Sequence, residues 1–213
     1  MRNIFKSLYA SLEGTMNNII ILGAGALGSA IGALLSKNKN NKVLLVGNKK
    51  HITYLQKNKL LLQGIVNDTF ALDAQEKIDL LPVRTIIFLT VKCHDIIPTL
   101  KNIKPLLRKD IIIVCLSNGL EIKELIINEI GDSCVVIRGI CYLGCIFLES
   151  GKILYSGGNL IEMEQTCYDL QFHKVFGETG LKVKTYPQFK EREFKKAIMN
   201  EVINPLSSLL NCY

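Results

Sequence analysis

The sequence predicts an α/β fold with a doubly wound, mostly parallel sheet that carries helices on both faces. Two observations lead to this prediction. Short apolar runs alternate with helical patterns between residues 17 and 186, and these runs are apolar throughout rather than at every second position. After Pro187 only a helical pattern remains. We therefore divide the chain into a disordered leader (1–16), an α/β domain (17–186) and a helical segment (187–213).

The apolar runs are predicted as strands because β-branched side chains fit the pleated surface of a buried sheet. These strands span residues 17–23, 42–47, 85–92, 110–119 and 181–187. The segments between them carry apolar residues at helical spacing and are predicted as helices. These helices span residues 24–38, 51–58, 94–107, 120–130 and 167–180.

Three stretches depart from this simple alternation. Residues 60–72 are predicted as a strand pair and residues 134–150 as a strand-rich region. Residues 151–163, with the sequence GKILYSGGNLIEM, are predicted as a hairpin of their own. The last helix is predicted over residues 194–213.

The composition gives no sign of a nucleic-acid or membrane partner. The formal net charge is +7, but lysine clusters such as KNKNNK (37–42) lack the interleaved aromatic residues that stack on bases. The charge suits an enzyme of phosphates and carboxylates equally well. No stretch approaches the roughly 18 to 20 continuous apolar residues of a membrane helix. Seven cysteines without paired spacing and three distant histidines predict no metal site and a reducing, cytoplasmic setting.

A glycine-rich turn follows the first predicted strand and opens the first predicted helix. Its sequence, ILGAGALGSAIG, contains G-x-G-x-x-G at Gly23, Gly25 and Gly28. In this context the first glycine permits a tight turn, the second lets the backbone approach a pyrophosphate, and the third allows close helix–strand packing. The phosphates would lie against the free N–H groups of the helix N-terminus. The alternative is a purely structural glycine turn.

The end of the second predicted strand indicates the cofactor. An NAD-binding protein usually presents an acidic residue there, which accepts hydrogen bonds from the ribose 2′-hydroxyl. This sequence has Gly47, Asn48, Lys49 and Lys50 instead. Two cations and no carboxylate favour a 2′-phosphate, and hence NADP. The alternative is that both lysines are solvated loop charges.

The last helix carries an unusual polar arc. At about 100° per residue, Lys196, Asn200, Asn204 and Ser207 fall within roughly 80° of one another. Asparagine and serine are weak helix formers, so an ordinary solvent-facing arc would favour other residues. Lys195 competes for the register but falls about 100° away. A separate arc is apolar and contains Ile198, Met199, Val202, Ile203, Leu206, Leu209 and Leu210.

With these features in place, the chain resembles the ketopantoate reductase (2-dehydropantoate 2-reductase) family from about residue 17 onwards. The resemblance rests on four motifs in the family's order. They are IILGAGALGS, VKCHD, LSNGLE and FKKAIMNEVINPLSS. It implies an NADP-binding Rossmann domain followed by the first helix of an all-α domain, with the active site between them. It also implies NADPH-dependent reduction of a 2-keto acid, ketopantoate, in pantothenate biosynthesis.

The resemblance assigns roles to particular residues. Gly23, Ala24, Gly25, Ala26, Leu27 and Gly28 would bind the pyrophosphate. Lys196 matches the family's catalytic lysine, and Asn200 and Asn204 match its substrate-binding asparagines. Lys92 and Asn118 would reach the cofactor and the cleft. A strand-end surface lysine and an ordinary Asn-Gly turn are their alternatives.

One position departs from the family pattern. Many members carry arginine at the position of Asn48, so Lys49 or Lys50 would have to contact the 2′-phosphate. The family's helical domain also normally continues for roughly another hundred residues. We therefore expect a truncated chain whose apolar helix face forms a homodimer or awaits a missing segment. A non-catalytic nucleotide-binding remnant of the family is the alternative function.

Overall fold

The computed structural model of the protein describes residues 16–210, apart from the side chains of residues 204, 205, 207 and 208. The predicted leader lies outside the described residues except for Met16. The strands are β1 (Asn17–Leu22), β2 (Asn41–Val46), β3 (Leu60–Gly64), β4 (Asp68–Phe70), β5 (Asp73–Gln75), β6 (Ile86–Leu89), β7 (Ile112–Cys115), β8 (Val135–Cys141), β9 (Gly144–Glu149), β10 (Lys152–Gly157), β11 (Leu160–Glu164) and β12 (Lys182–Tyr186). The helices are α1 (Ala26–Leu35), α2 (Lys49–Leu55), α3 (Ile96–Ile103), α4 (Ile122–Ile130), α5 (Asp169–Phe176) and α6 (Lys190–Leu209).

The main sheet has eight strands in the order β12-β11-β8-β7-β6-β1-β2-β5. All neighbours pair in parallel except β11, which runs antiparallel to β8. The chain leaves β1 towards β2 and β5 on one side and returns to β6 on the other. The strand order therefore reverses between β1 and β6, which is where open α/β sheets bind ligands. This confirms the predicted doubly wound, Rossmann-type fold.

Helices cover both faces of the main sheet. Alternate residues of β1 belong to different apolar clusters, with Ile19 and Ile21 in one and Ile20 and Leu22 in the other. The first cluster includes residues of α1 and α5, and the second includes residues of α3 and α4. Burial on both faces explains why the strand sequences are continuously apolar. Within residues 16–210, no helix combines the length and apolarity needed to span a membrane.

The smaller sheet corrects one prediction. Its four strands lie in the order β4-β3-β10-β9, and the predicted pair at 60–72 is present as β3 and β4. The predicted hairpin at 151–163 is wrong, because β10 pairs with β9 while β11 joins the main sheet. Gly151, with φ +79°, makes the turn between β9 and β10. Gly158, with φ +71°, turns the chain out of the small sheet, and a Cβ there would collide with the Tyr142 carbonyl.

Smaller differences concern element ends. The three-residue strand β5 at the edge of the main sheet has no counterpart among the predicted strands. The predicted helix at 94–107 consists of a 3-10 turn (Cys93–Asp95), helix α3 and a second 3-10 turn (Lys104–Leu106). Helix α6 begins at Lys190, four residues before the predicted start. The proposed domain boundary near Pro187 stays a prediction.

Candidate functional site

The glycine turn joins β1 to α1 at the carboxyl edge of the main sheet. Gly23 has φ +116°, a conformation that side chains disfavour, and a Cβ there would lie 2.6 Å from the Val91 nitrogen. The N–H groups of Gly23 and Ala24 both donate to the Val46 carbonyl at 2.9 Å. The turn is therefore held against two neighbouring strand ends and requires glycine at its first position.

The other two glycines of the motif differ in what surrounds them. A Cβ on Gly28 would overlap the Gly23 carbonyl oxygen and lie 2.6 Å from Thr90 Oγ1, so helix and strands approach here too closely for any side chain. A Cβ on Gly25 would meet no protein atom within 4 Å. Packing within the protein thus accounts for a glycine at position 28. It does not account for the glycine at position 25, where the space is open.

The N-terminus of α1 faces this open space without a cap. Gly25 occupies the N-cap position, no side chain caps the helix, and its first turn contains no acidic residue. The first-turn N–H groups of Ala26, Leu27 and Gly28 have no acceptor within the helix by geometry. A diphosphate fits this arrangement, because it supplies acceptors for the N–H groups and negative charge for the helix dipole.

An open cleft of about 530 Å³ lies beside the glycine turn, at the reversal of strand order. Its lining includes Gly23, Gly47 and Val91, each of which follows a different strand of the sheet. The cleft has the size and position of a nucleotide pocket. Glu76, which follows the edge strand β5, also lines it. Sequence reasoning missed this carboxylate because β5 was not recognised as a strand beside β2.

The predicted cofactor residues near this cleft have distinct local roles. Asn48 caps α2, since its side-chain oxygen accepts a hydrogen bond from the Lys50 N–H at 2.9 Å. Lys49 is exposed in the first turn of α2, where no acidic residue neutralises it. Lys92 is exposed just beyond the end of β6 and precedes the Cys93–Asp95 turn. All three lie at the carboxyl edge of the sheet.

A second, much narrower cleft brings together three of the predicted site residues. Asn118, from the turn after β7, and Lys196 and Asn200, from α6, all line it. Lys196 and Asn200 are partly buried, whereas Lys195 is exposed and lies outside this lining. The side chain of Asn204 lies outside the described part of the structure, as does that of Ser207.

Lys196 lies over the ring of Tyr142, with Nζ 4.7 Å from the ring centroid. The Tyr142 hydroxyl donates to Glu162 Oε2 at 3.0 Å, and Arg192 Nε donates to the same oxygen at 2.9 Å. Burial, reinforced by Glu162, raises the pKa of Tyr142 to about 12. Burial alone would raise the pKa of Glu162, but hydrogen bonds from Arg192 and Tyr142 hold that pKa below its usual value. Lys196 therefore lies beside a neutral phenol whose hydroxyl is hydrogen-bonded to an ionised carboxylate.

Arg138 and Glu193 complete the lining of this cleft. Arg138 is 4% exposed, and its Nε donates to Glu193 Oε1 at 2.6 Å. Neither residue was identified as a site residue from the sequence. The one available signal was an arginine within an otherwise apolar strand, VVIRGIC.

The apolar face of α6 is exposed. Its members are between 40% and 79% exposed. They are Ile198, Met199, Val202, Ile203, Leu206, Leu209 and Leu210. Within residues 16–210, no group of three potential metal ligands converges, and the cysteines of that range are free thiols.

Comparison with known proteins identifies relatives with this architecture. A family model described as ketopantoate reductase PanE/ApbA matches residues 19–166. A 2-dehydropantoate 2-reductase from Pyrococcus horikoshii is 29% identical over 197 residues, which are 90% of this chain and 64% of that protein. The crystal structure of 2-dehydropantoate 2-reductase from Geobacter metallireducens has a TM-score of 0.80 at 23% identity, covering 91% of this chain and 66% of the other.

A structure of D-mandelate dehydrogenase with NADH and anilino(oxo)acetate has a TM-score of 0.79 at 22% identity, covering 91% of this chain and 64% of the other. At these identities the solved structures establish a shared fold. The chain spans about 64% of the length of the curated relatives that it matches. The family model covers well over half of the chain and includes the glycine turn and Asn118. The chain therefore belongs to the ketopantoate reductase PanE/ApbA family.

Proposed function

We propose that this protein reduces 2-dehydropantoate to pantoate with NADPH, the reduction that supplies pantothenate biosynthesis. One observation carries the proposal. Asn118 and the α6 residues Lys196 and Asn200 converge on one cleft, at the same edge of the sheet as the glycine turn. The strands β1 and β7, which lead to these two places, are separated only by β6, or roughly 10 Å at normal strand spacing. A nucleotide and a small keto acid would therefore lie side by side.

The cofactor would bind through the glycine turn and the start of α1. The open space at Gly25 and the uncapped N–H groups of Ala26, Leu27 and Gly28 suit its pyrophosphate. Bound NADPH would supply the hydride. Lys92, at the end of β6, lies between the glycine turn and the Asn118 turn in strand order. It is placed to balance the negative charge of the cofactor or of the substrate.

The preference for NADP over NAD depends on opposing charges at the end of β2. Lys49 and Lys50, which are exposed at the start of α2, would attract a 2′-phosphate. Glu76 lines the cleft beside Gly47 and would repel a 2′-phosphate or accept a hydrogen bond from a 2′-hydroxyl. Lys77 and Asp79 also line this cleft but form an ion pair with each other, so Lys49 and Lys50 against Glu76 decide the charge balance and favour NADP.

Lys196 is the proposed catalytic acid. When a ketone is reduced, its carbonyl oxygen gains negative charge, and an ammonium within hydrogen-bonding distance stabilises that charge and then donates a proton. Asn200 and Asn204, one and two helical turns further along α6, would hydrogen-bond the hydroxyl and carboxylate of the substrate. Asn118 would do so from the opposite wall of the cleft. Amide groups orient the substrate without adding a charge that competes with Lys196.

The exposed face of α6 is part of the proposal. Seven large apolar residues in contact with water favour burial, at about 1.5 to 3 kcal/mol for each side chain that becomes fully buried. We infer that a second copy of the chain covers this face and completes the wall of the substrate cleft. The enzyme would act in the cytoplasm, where a reducing environment suits unpaired cysteines.

The proposal is tested by titrating the purified protein with NADPH, followed by cofactor fluorescence, and then adding ketopantoate. We expect NADPH to bind and to be oxidised, with oxidation lost in Lys196→Ala and retained in the matched control Lys195→Ala. Glyoxylate and phenylglyoxylate, added in parallel, test selectivity among 2-keto acids.

Other results would change the assignment. Binding of NADPH without oxidation of any of these keto acids would favour the non-catalytic nucleotide-binding remnant. Equal loss of oxidation in both lysine variants would contradict the assignment of Lys196. Failure to bind either nicotinamide cofactor would exclude the function altogether.

A further inference from the structure

Arg138 is a buried cation in the middle of the main sheet. It lies on β8, is 4% exposed, and is flanked in sequence by residues buried among apolar neighbours. A buried charge requires hydrogen bonds to nearly all of its donors. Its guanidinium makes four, and these connect three separate segments of the chain.

Two of these segments belong to the walls of the substrate cleft. Arg138 Nη2 donates to the Gly119 carbonyl at 2.9 Å, next to Asn118, and Nη1 donates to the Cys115 carbonyl at the end of β7, also at 2.9 Å. Its Nε donates to Glu193 Oε1 on α6 at 2.6 Å. A single rigid side chain therefore joins the turn that carries Asn118 to the helix that carries Lys196.

Glu193 transmits this constraint to the proposed catalytic residue. It precedes Lys196 by three positions, so both side chains lie on the same face of α6. Glu193 is itself largely buried, with a side chain that is 11% exposed. Anchoring Glu193 to Arg138 therefore turns the Lys196 face towards the cleft.

A second ion pair lies beside the first, with its arginine on the helix and its glutamate on the sheet. Arg192, the neighbour of Glu193 on α6, pairs with Glu162 of β11, whose side chain is 2% exposed. The strands β8 and β11 are adjacent in the sheet. A rotation of α6 by one residue would bring a helix residue of the same sign, or of no charge, against each buried partner. The two crossed pairs thus select one rotational register of the helix.

We propose that Arg138 and Glu193 are positioning residues that set the rotational register of α6 and the width of the cleft between Asn118 and Lys196. The catalytic consequence of this inference rests on the proposed function. The claim about the rotational register of α6 does not depend on that function. A buried ion pair is weak evidence for added stability, whereas the fixing of register is a well-attested role for such pairs.

The test compares Glu193→Ala and Glu193→Gln with matched substitutions at Glu191. Glu191 lies in the same turn of α6 but is exposed, so Glu191→Ala and Glu191→Gln remove the same groups without touching Arg138. Glutamine at position 193 keeps an oxygen that can accept from Arg138 Nε and removes only the charge. The glutamine variant also gives a result if the alanine variant does not fold.

The first measurement is acylation of lysine side chains by a water-soluble ester at low conversion, mapped by mass spectrometry. We expect Lys196 to be acylated several times more slowly than its exposed neighbour Lys195 in the unmodified protein. Glu193→Ala should bring the two rates together, Glu193→Gln should have a smaller effect, and the Glu191 variants should have none. Lys123 of α4, which pairs with Glu164 of β11, should keep its rate, and this excludes general unfolding.

The second measurement is steady-state kinetics. Displacement of a catalytic group by about 1 Å can reduce turnover by on the order of a hundredfold. We therefore expect a loss of that size in kcat for Glu193→Ala, with little change in the KM for NADPH, because the glycine turn that would hold its pyrophosphate lies outside the contacts of Arg138 and Glu193. The KM for ketopantoate should rise, since Asn200 moves with Lys196.

Two results would overturn the inference: an unchanged Lys196 acylation rate in Glu193→Ala, or an equal increase in the Glu191 variants. Acylation needs neither cofactor nor substrate, so it decides the geometric claim even if the protein shows no turnover. Failure of the unmodified protein to bind NADPH would contradict the proposed function alone.

Discussion

Gly25 and Gly28 belong to one motif, yet substitution of each by alanine should have opposite consequences. At Gly28 a methyl group would overlap the Gly23 carbonyl and lie 2.6 Å from Thr90 Oγ1, about 0.7 Å inside normal contact. Overpacking of this kind costs about 1 to 3 kcal/mol, and the better helix propensity of alanine returns up to about 1 kcal/mol. Because the closest clash is with a backbone oxygen that cannot easily move aside, the cost lies at the upper end, and we expect Gly28→Ala to destabilise the fold by about 2 to 3 kcal/mol.

At Gly25 the same methyl group would enter open space, and the backbone at φ −84° is accessible to any residue. Alanine is a poorer N-cap than glycine by about 0.5 to 1 kcal/mol, but it lowers the entropy of the unfolded chain by a similar amount. The free energy of unfolding of Gly25→Ala should thus stay within about 0.5 kcal/mol of the unmodified protein. Binding of NADPH should nevertheless fall at least tenfold, because the methyl group would occupy the approach of the pyrophosphate.

The assay is urea unfolding followed by circular dichroism, paired with fluorescence titration of NADPH for the same samples. The free energy of unfolding should fall only in Gly28→Ala. The affinity for NADPH, measured where the protein is fully folded, should fall in Gly25→Ala. Unimpaired NADPH binding by a fully folded Gly25→Ala would refute the placement of the pyrophosphate over α1. A Gly28→Ala protein as stable as the original would refute the packing argument.

Three further outcomes follow from the described contacts. Burial lowers the pKa of His51, whose Nδ1 accepts from the Gly151 N–H and whose Nε2 contacts Ser29 Oγ. The unfolded chain therefore binds a proton that the folded protein excludes. The urea midpoint should fall as the pH drops below about 6.5, and this fall should be smaller in His51→Gln. Parallel titrations should show that Lys49→Gln lowers the ratio of NADPH to NADH affinity by about two- to fivefold and that Glu76→Gln raises it by a similar factor. An unchanged ratio in both variants would show that neither residue contacts the 2′ position of the ribose. Ile203→Lys should shift the protein from dimer to monomer in light scattering, whereas Glu201→Lys, on another side of the helix, should not; a monomeric unmodified protein would contradict the dimer.

Local patterns predicted much of the fold and the polar face of the last helix. The strand at β1, the glycine turn and the Lys196–Asn200 face each depend on residues within a few positions of one another, and steric rules over that distance are strong. Helical geometry separates Lys196 from Lys195, and Lys196 lines the narrow cleft, while its catalytic role stays a prediction.

The sequence by itself determined most of the segments that become strands and helices, and which helix face carries the polar residues. Only the tertiary structure decided that β10 pairs with β9, that Glu76 reaches the cleft beside Gly47, and that Arg138 meets a carboxylate 55 residues further along the chain. No periodicity encodes these contacts, because they depend on the order of strands in the sheet. Each contact arises where the folded chain brings distant segments together. The partner of a buried arginine can therefore be identified only once the strands are in place.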